Sequence, residues 1–241
     1  RREELQGNLQ LRHRLTLACR NYMDALGFIE VETPVLTKPT PEGARDYLVP
    51  SRVHKGEFYA LPQSPQIYKQ ICMAAGFDRY FQIARCFRDE DPRADRQPEF
   101  TQIDVEASFV EPDDIMRWME GLMEALATVA PGVVAETPFL RMTHREALDR
   151  FGIDRPDLRY SLEIQDWTSV LGGGASAILQ SAVEGGGRIR GLLLTGGARL
   201  SRREVEAVES HAKNAGAPGL LWAKLGDEGG SGPLSRFMDE G

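Results

Sequence analysis

The chain contains no run of about 18 apolar residues, the length a membrane-spanning helix needs. No basic-then-apolar leader opens it. Cysteine is scarce. Cys19, Cys72 and Cys86 are odd in number and widely spaced, which excludes a disulfide framework and shows no metal-ligand spacing. A reduced, cytoplasmic setting and no protein-held metal are the expectations. The glycine clusters at 172–174, 185–187 and 196–197 do not fit the phosphate-cradling pattern G-x-x-x-x-G-K-[ST], so they read as turns. His13, His54, His144 and His211 are scattered and read as structural or solvated. The net charge of −7 argues against general affinity for nucleic acid. What is present is an ordinary globular composition over 241 residues, enough for one large domain or two small ones. The chain opens on Arg1 rather than Met and has no evident finish at Gly241, so it reads as a segment of a longer protein.

Leu11, Leu15, Ala18, Tyr22 and Leu26 recur at helical spacing, predicting an amphipathic helix over 8–26 with Gly27 as its cap. A short strand over 28–33 stops at Pro34. Pro41 and Gly43 mark a loop, and 57–61 reads as a strand. Ser64 as N-cap and Pro65 as first residue predict a helix with Ile67, Ile71 and Ala75 as its buried stripe. Next come two strands joined by a charged loop. Alternation places Tyr80, Gln82, Ala84, Cys86 and Arg88 on one face and Phe81, Ile83 and Phe87 on the other. In the second strand Gln102, Asp104 and Glu106 share a polar face. A helix over 112–128, with Ile115, Met119, Leu122, Met123 and Leu126 inward, can cover the apolar side.

The hairpin string from Arg79 to Glu106, containing Cys-Phe-Arg-Asp-Glu-Asp and Phe-Thr-Gln-Ile-Asp-Val-Glu, resembles motif 2 of the class II aminoacyl-tRNA synthetases. The resemblance is specific enough to point to the aspartyl-tRNA synthetases of bacterial type. The helix–strand–Pro unit at 8–34 resembles motif 1, which in that family builds a homodimer interface. Thr40-Pro-Glu-Gly-Ala-Arg-Asp46 resembles the family's mobile loop, and Ser64-Pro-Gln-Ile-Tyr-Lys69 its amino-acid-binding segment.

This resemblance implies an α+β fold. A partial antiparallel class II sheet flanked by helices would occupy 1–159, and a smaller insertion domain of the GAD type 160–241. It also implies roles. Glu42 would sense the substrate ammonium, with Ser64 and Gln66 fixing the amino group. Lys69 would hold the side-chain carboxylate of L-aspartate, and Arg88, Gln102 and Asp104 complete that pocket. Arg88 would be the catalytic residue, set between two anions to stabilise charge growing on the α-phosphorus of ATP. Asp89, Glu90 and Gln97 would meet ATP, and Arg93 and Arg96 the acceptor end of tRNA-Asp. ATP would come with Mg2+ whose ligands lie elsewhere. No general base is required, because the aspartate carboxylate is already ionised and is itself the nucleophile.

After 160 the composition shifts. A strand over 189–194, a capping box at Ser201-Arg-Arg-Glu204 opening a helix to Ala215, and a strand over 219–225 resemble the insertion domain of the bacterial enzymes. Motif 3, with its second ATP-clamping arginine, and an anticodon-reading barrel are absent from these 241 residues, and the segment alone is expected to be inactive. Two alternatives remain open at this point: an ammonia-using asparagine synthetase on the same fold, and a non-catalytic binding paralogue.

Overall fold

The computed structural model describes residues 2–91, 96–173, 176–226 and 229–235. The chain divides into two compact units, Arg1–Phe139 and Leu140–Gly241.

Unit 1 is built on helix α1 (Glu3–Ala25), strands β1 (Ile29–Glu30), β2 (Leu48–Pro50) and β3 (Phe58–Ala60), helix α2 (Gln66–Ala74), strands β4 (Arg79–Phe87) and β5 (Glu99–Ala107), and helix α3 (Pro112–Ala127). The main sheet has the order β1-β4-β5. The β4–β5 pair is antiparallel over nine residues each, from Arg79 opposite Ala107 to Phe87 opposite Glu99. β1 joins β4 in parallel, with Ile29 opposite Tyr80 and Glu30 opposite Phe81. A separate antiparallel pair joins β2 to β3.

The two faces of the hairpin separate as alternation predicts. Phe81, Ile83, Val105 and Ala107 pack into a core with Cys19, Met23 and Phe28 and with Trp118 and Leu122 of α3. Both long helices therefore cover the apolar face. Phe28 meets Trp118 edge to face at 5.1 Å, and burying rings of this size contributes on the order of 2–3 kcal/mol each. The guanidinium of Arg79 lies over the Trp118 ring at 5.1 Å and donates to the Leu26 carbonyl. α3 is opened by a capping box of Glu111 and Asp114, with Pro112 in its first turn. Its inward face differs in part from the expected one. Trp118 and Leu122 are the buried residues, while Ile115 and Met123 are exposed.

α2 departs further. The N-cap position is held by Pro65, not Ser64. Ile67 and Ile71 are exposed, and Lys69 is the buried residue of the helix. Side chains three residues apart share a helix face, so α2 turns Lys69, Cys72 and Met73 inward and its isoleucines outward.

Unit 2 begins with α4 (His144–Phe151), capped by the Thr143 side chain and ended by left-handed Gly152. β6 (Ile164–Asp166), α5 (Thr168–Leu171), α6 (Ala177–Glu184), β7 (Arg190–Leu192), α7 (Arg202–Asn214), β8 (Lys224–Gly226) and β9 (Gly229–Ser231) follow. β6 pairs with β7 and β8 with β9. The expected strand over 219–225 is thus short and pairs with its own hairpin partner, not with β7. Leu171, Leu179 and Leu234 form a small core with Trp167, Ile189 and Ala223 against it. The Ser201–Glu204 capping box opens α7 as expected. No helix among the described residues is long and apolar enough to cross a membrane.

Candidate functional site

The site lies on the polar face of the β4–β5 hairpin. Register sets Gln82 opposite Asp104 and Ala84 opposite Gln102. These positions share a face because side chains alternate strictly along a strand. α2 delivers Lys69 onto this floor. Its ammonium lies 2.9 Å from Asp104 Oδ1 and 3.3 Å from Glu106 Oε2. Burial alone would lower the Lys69 pKa, but the two carboxylates outweigh it and the net shift is upward. Lys69 and Asp104 are both buried.

Around this pair the other predicted residues converge. Ser64 donates its hydroxyl to Glu42 Oε2 at 2.9 Å. Cys86 donates its thiol to Gln102 Oε1 at 3.2 Å. Arg88 sits just past β4 with its guanidinium 5.0 Å from the Phe100 ring centre. Its backbone N–H donates to Pro98 O at 2.9 Å. Cys86 reports the grouping. Its thiol is pushed up to about 11, first by burial and then by the charge of Asp104, with Arg88, Glu42 and Lys69 also acting on it. One thiol thus feels four of the predicted residues. Tyr80 is fully buried and donates to Gln82 Oε1 at 2.8 Å. Burial, and then Asp104, raise its pKa.

Three buried side-chain atoms have no hydrogen-bond partner among the described residues: Glu42 Oε1, Arg88 Nε and Asp104 Oδ2. All three belong to this site. A buried charged group left unpaired costs about 1–3 kcal/mol or more, so each of these atoms has bonding capacity that its described neighbours do not use. The two orphan acceptors call for a donor-rich cation, and the orphan guanidinium nitrogen for an anion.

The remaining predicted residues lie at the margins. Gln66 is the first residue of α2. Asp89 donates its backbone N–H to Arg45 O at 3.0 Å. Glu90 pairs with Arg96 at 2.9 Å. Gln97 is exposed. Arg93 lies outside the described residues. Among the described residues no group of three or more His, Cys, Asp or Glu side chains could hold a metal ion.

One buried residue went unread in the sequence. Gln63 is 1% exposed. Its amide oxygen accepts from Ala44 N at 3.1 Å and its amide nitrogen donates to Ala44 O at 2.9 Å. The nitrogen also donates to Asp46 Oδ1. A glutamine between Pro62 and Ser64 carries no periodic signal, and only the position of the Glu42 loop reveals its partners.

This fold and polar face define a class. The sequence matches the family profile of tRNA synthetases class II (D, K and N) over residues 1–222, and the chain belongs to that family. Within it, the chain is similar to aspartate–tRNA ligases. It is 52% identical over 241 residues to the aspartate–tRNA ligase of Shouchella clausii (strain KSM-K16), which it matches over all of its own length and 41% of the relative's. It is 50% identical to that of Macrococcus caseolyticus (strain JCSC5402), again over all of this chain and 41% of the relative. It is 51% identical to the aspartate–tRNA(Asp/Asn) ligase of Geobacillus sp. (strain WCH70), with the same coverage. The chain therefore spans about two-fifths of the length of the curated relatives it matches.

Proposed function

We propose that this chain is the amino-acid-binding segment of a full-length aspartate–tRNA ligase. It holds L-aspartate while ATP activates it, before transfer to the 3′ end of tRNA-Asp. The observation that carries this reading is the set of buried unpaired atoms, Glu42 Oε1 and Asp104 Oδ2 as acceptors and Arg88 Nε as donor, on residues that act together with Lys69 on the buried Cys86 thiol. A free amino acid supplies what they lack. Its ammonium donates to Glu42 and Asp104, with Ser64 and Gln66 fixing the direction. Its α-carboxylate meets Arg88. The Lys69 ammonium has three N–H donors and gives two to Asp104 and Glu106. The third takes the side-chain carboxylate, which separates aspartate from a neutral amino acid.

Activation needs a carboxylate oxygen to attack the α-phosphorus of ATP, expelling pyrophosphate. Two anions must approach, and Arg88 between them offsets that repulsion and the charge gathering on phosphorus. Asp89, Glu90 and Gln97 are proposed for the ATP side, and Arg93 and Arg96 for the tRNA acceptor end. Mg2+ accompanying ATP, a homodimer through the α1–β1 region and a cytoplasmic setting complete the proposal. Relatives named aspartate–tRNA ligase and aspartate–tRNA(Asp/Asn) ligase match at nearly the same identity. The choice of tRNA is therefore assigned to parts of the ligase other than this segment. The asparagine synthetase and binding-paralogue alternatives gain no support from these relatives.

The test is aspartate-dependent ATP–pyrophosphate exchange by the full-length protein. Exchange with aspartate and not with asparagine is expected. A full-length protein without exchange overturns the reading.

A further inference from the structure

The Glu42 loop is held by a device that the pocket itself does not require. Gly43 takes a left-handed φ of +97°, so the chain reverses sharply right after Glu42. On either side of that reversal the loop is tied down. Asp46 Oδ2 accepts from Thr40 N at 3.2 Å, closing the loop on itself. Gln63 then reads Ala44 as a neighbouring strand would, accepting its N–H and donating to its C=O. The same amide reaches Asp46 with its other N–H. Farther along, Arg45 and Asp89 form an isolated bridge to the hairpin. Ser64, the very next residue after Gln63, donates to Glu42.

We propose that Gln63 is a positioning residue for aspartate, holding the loop so that the Glu42 carboxylate stays over the amino-acid pocket. The proposal rests on the assignment of Glu42 to the substrate ammonium. Only an amide can do this work at position 63. The loop backbone needs both an acceptor and a donor, and Asp46 needs a second donor. A carboxylate would keep the acceptor, lose both donors and set a like charge against Asp46. A thioether of the same length would lose all three bonds while preserving volume. With the amide gone, the bridge of Arg45 to Asp89 still anchors the far side, so the loop loosens at 42–44 and does not detach.

The test uses the full-length ligase in pyrophosphate exchange, with Gln63→Glu and, should that variant fold poorly, Gln63→Met. The expected result is a rise of roughly tenfold in the KM for aspartate, the scale of one orphaned buried pair, with the KM for ATP unchanged. Amide hydrogen exchange at 44–46 should speed up while that of β4 and β5 does not. Glu42→Gln should raise the aspartate KM by itself, and the double variant should cost no more than Glu42→Gln alone, because Gln63 acts through Glu42. Equal rises in both KM values, or fully additive costs in the double variant, mean that Gln63 supports the fold generally and overturn the proposal. If Glu42→Gln perturbs aspartate use and Gln63→Glu does not, only the positioning role falls. If Glu42→Gln has no effect, the pocket assignment falls with it.

Discussion

At the scale of single residues, the site is a set of charges that hold one another in place and are short of partners. Lys69 is the centre. It neutralises Asp104 and Glu106 at 2.9 and 3.3 Å, and its removal leaves two facing carboxylates, one of them buried. Lys69→Ala in the full-length ligase should raise the KM for aspartate far more than that for ATP, measured by exchange kinetics with each substrate varied. Equal loss for both would count against its place in the pocket. The same variant should lose about 3–5 kcal/mol of stability by urea unfolding, the usual cost of stripping one partner from a buried pair. The thiols offer a second test. Cys19 and Cys86 are 1% and 0% exposed, and burial pushes both pKa values up. Cys72 is partly exposed. A thiol reagent at neutral pH should label Cys72 and spare the other two until the protein unfolds. Most of this arrangement was legible in the sequence because strand alternation is rigid: once Gln102, Asp104 and Glu106 lie on one strand, they must share a face. The role of Gln63 was not legible, because a buried amide is defined by its partners rather than by spacing.

At the scale of elements, legibility followed the strength of local chemistry. Ser201 and Glu204 cap α7 reciprocally, and Thr143 caps α4 through Glu146 N at 3.1 Å. These ends are set by side chains within three residues, so short-range reading finds them. α2 shows the opposite. Ile67 and Ile71 suggested a buried stripe, yet tertiary placement of Lys69 on the hairpin sets which face turns inward. The segment 219–223 shows another limit. Its apolar residues look strand-like, but Trp222 O accepts from Leu234 N at 3.1 Å, so it is tied to the segment around Leu234 and joins no ladder. The contact of α1 with α3 is close enough to test. A Cβ built on Gly121 would lie 2.2 Å from Tyr22 Oη, and that hydroxyl donates to Trp118 O at 3.0 Å. Gly121→Ala must push Tyr22 aside and break this bond. It should cost about 1–3 kcal/mol despite the better helix propensity of alanine, read as a fall in the thermal midpoint. Adding Tyr22→Phe should recover part of it, since the clashing oxygen is then gone.

At the scale of the whole molecule, the two units rely on ionisable groups of opposite character, and this sets where each fails. Unit 1 holds a set of titrating groups inside, beside exposed pairs such as that of Asp114 with Arg117. Cys86 rises from 9.0 to about 11, and Cys19, Tyr80 and Lys69 are also raised from 9.0, 10.0 and 10.5. A group whose folded pKa is raised binds its proton more tightly in the native state. Its contribution is complete below the unfolded pKa and disappears as pH rises through the folded one. Unit 1 should therefore weaken above about pH 9, and Cys86 alone accounts for up to roughly 2–3 kcal/mol of that loss. Unit 2 carries its charge on the surface. Asp149 is lowered from 3.8 chiefly by a hydrogen bond from Arg188, and Glu163 from 4.5 by Arg150. Asp157 falls to about 2 beside Arg159, and Asp166 is lowered by the Thr168 hydroxyl. A lowered folded pKa works the other way. Its stabilisation is present above the unfolded value and is lost as pH falls through the folded one. Arg150 and Arg188 also tie α4 to the β6–β7 hairpin through Glu163, Asp149 and Asp166, so protonation below about pH 4 loosens contacts between elements of unit 2. Hydrogen exchange resolved along the chain should show protection lost first in 140–235 on acidification and first in the β4–β5 hairpin at alkaline pH. Loss of protection in the same order at both extremes would mean that the buried thiols, tyrosine and lysine do not govern the hairpin's stability.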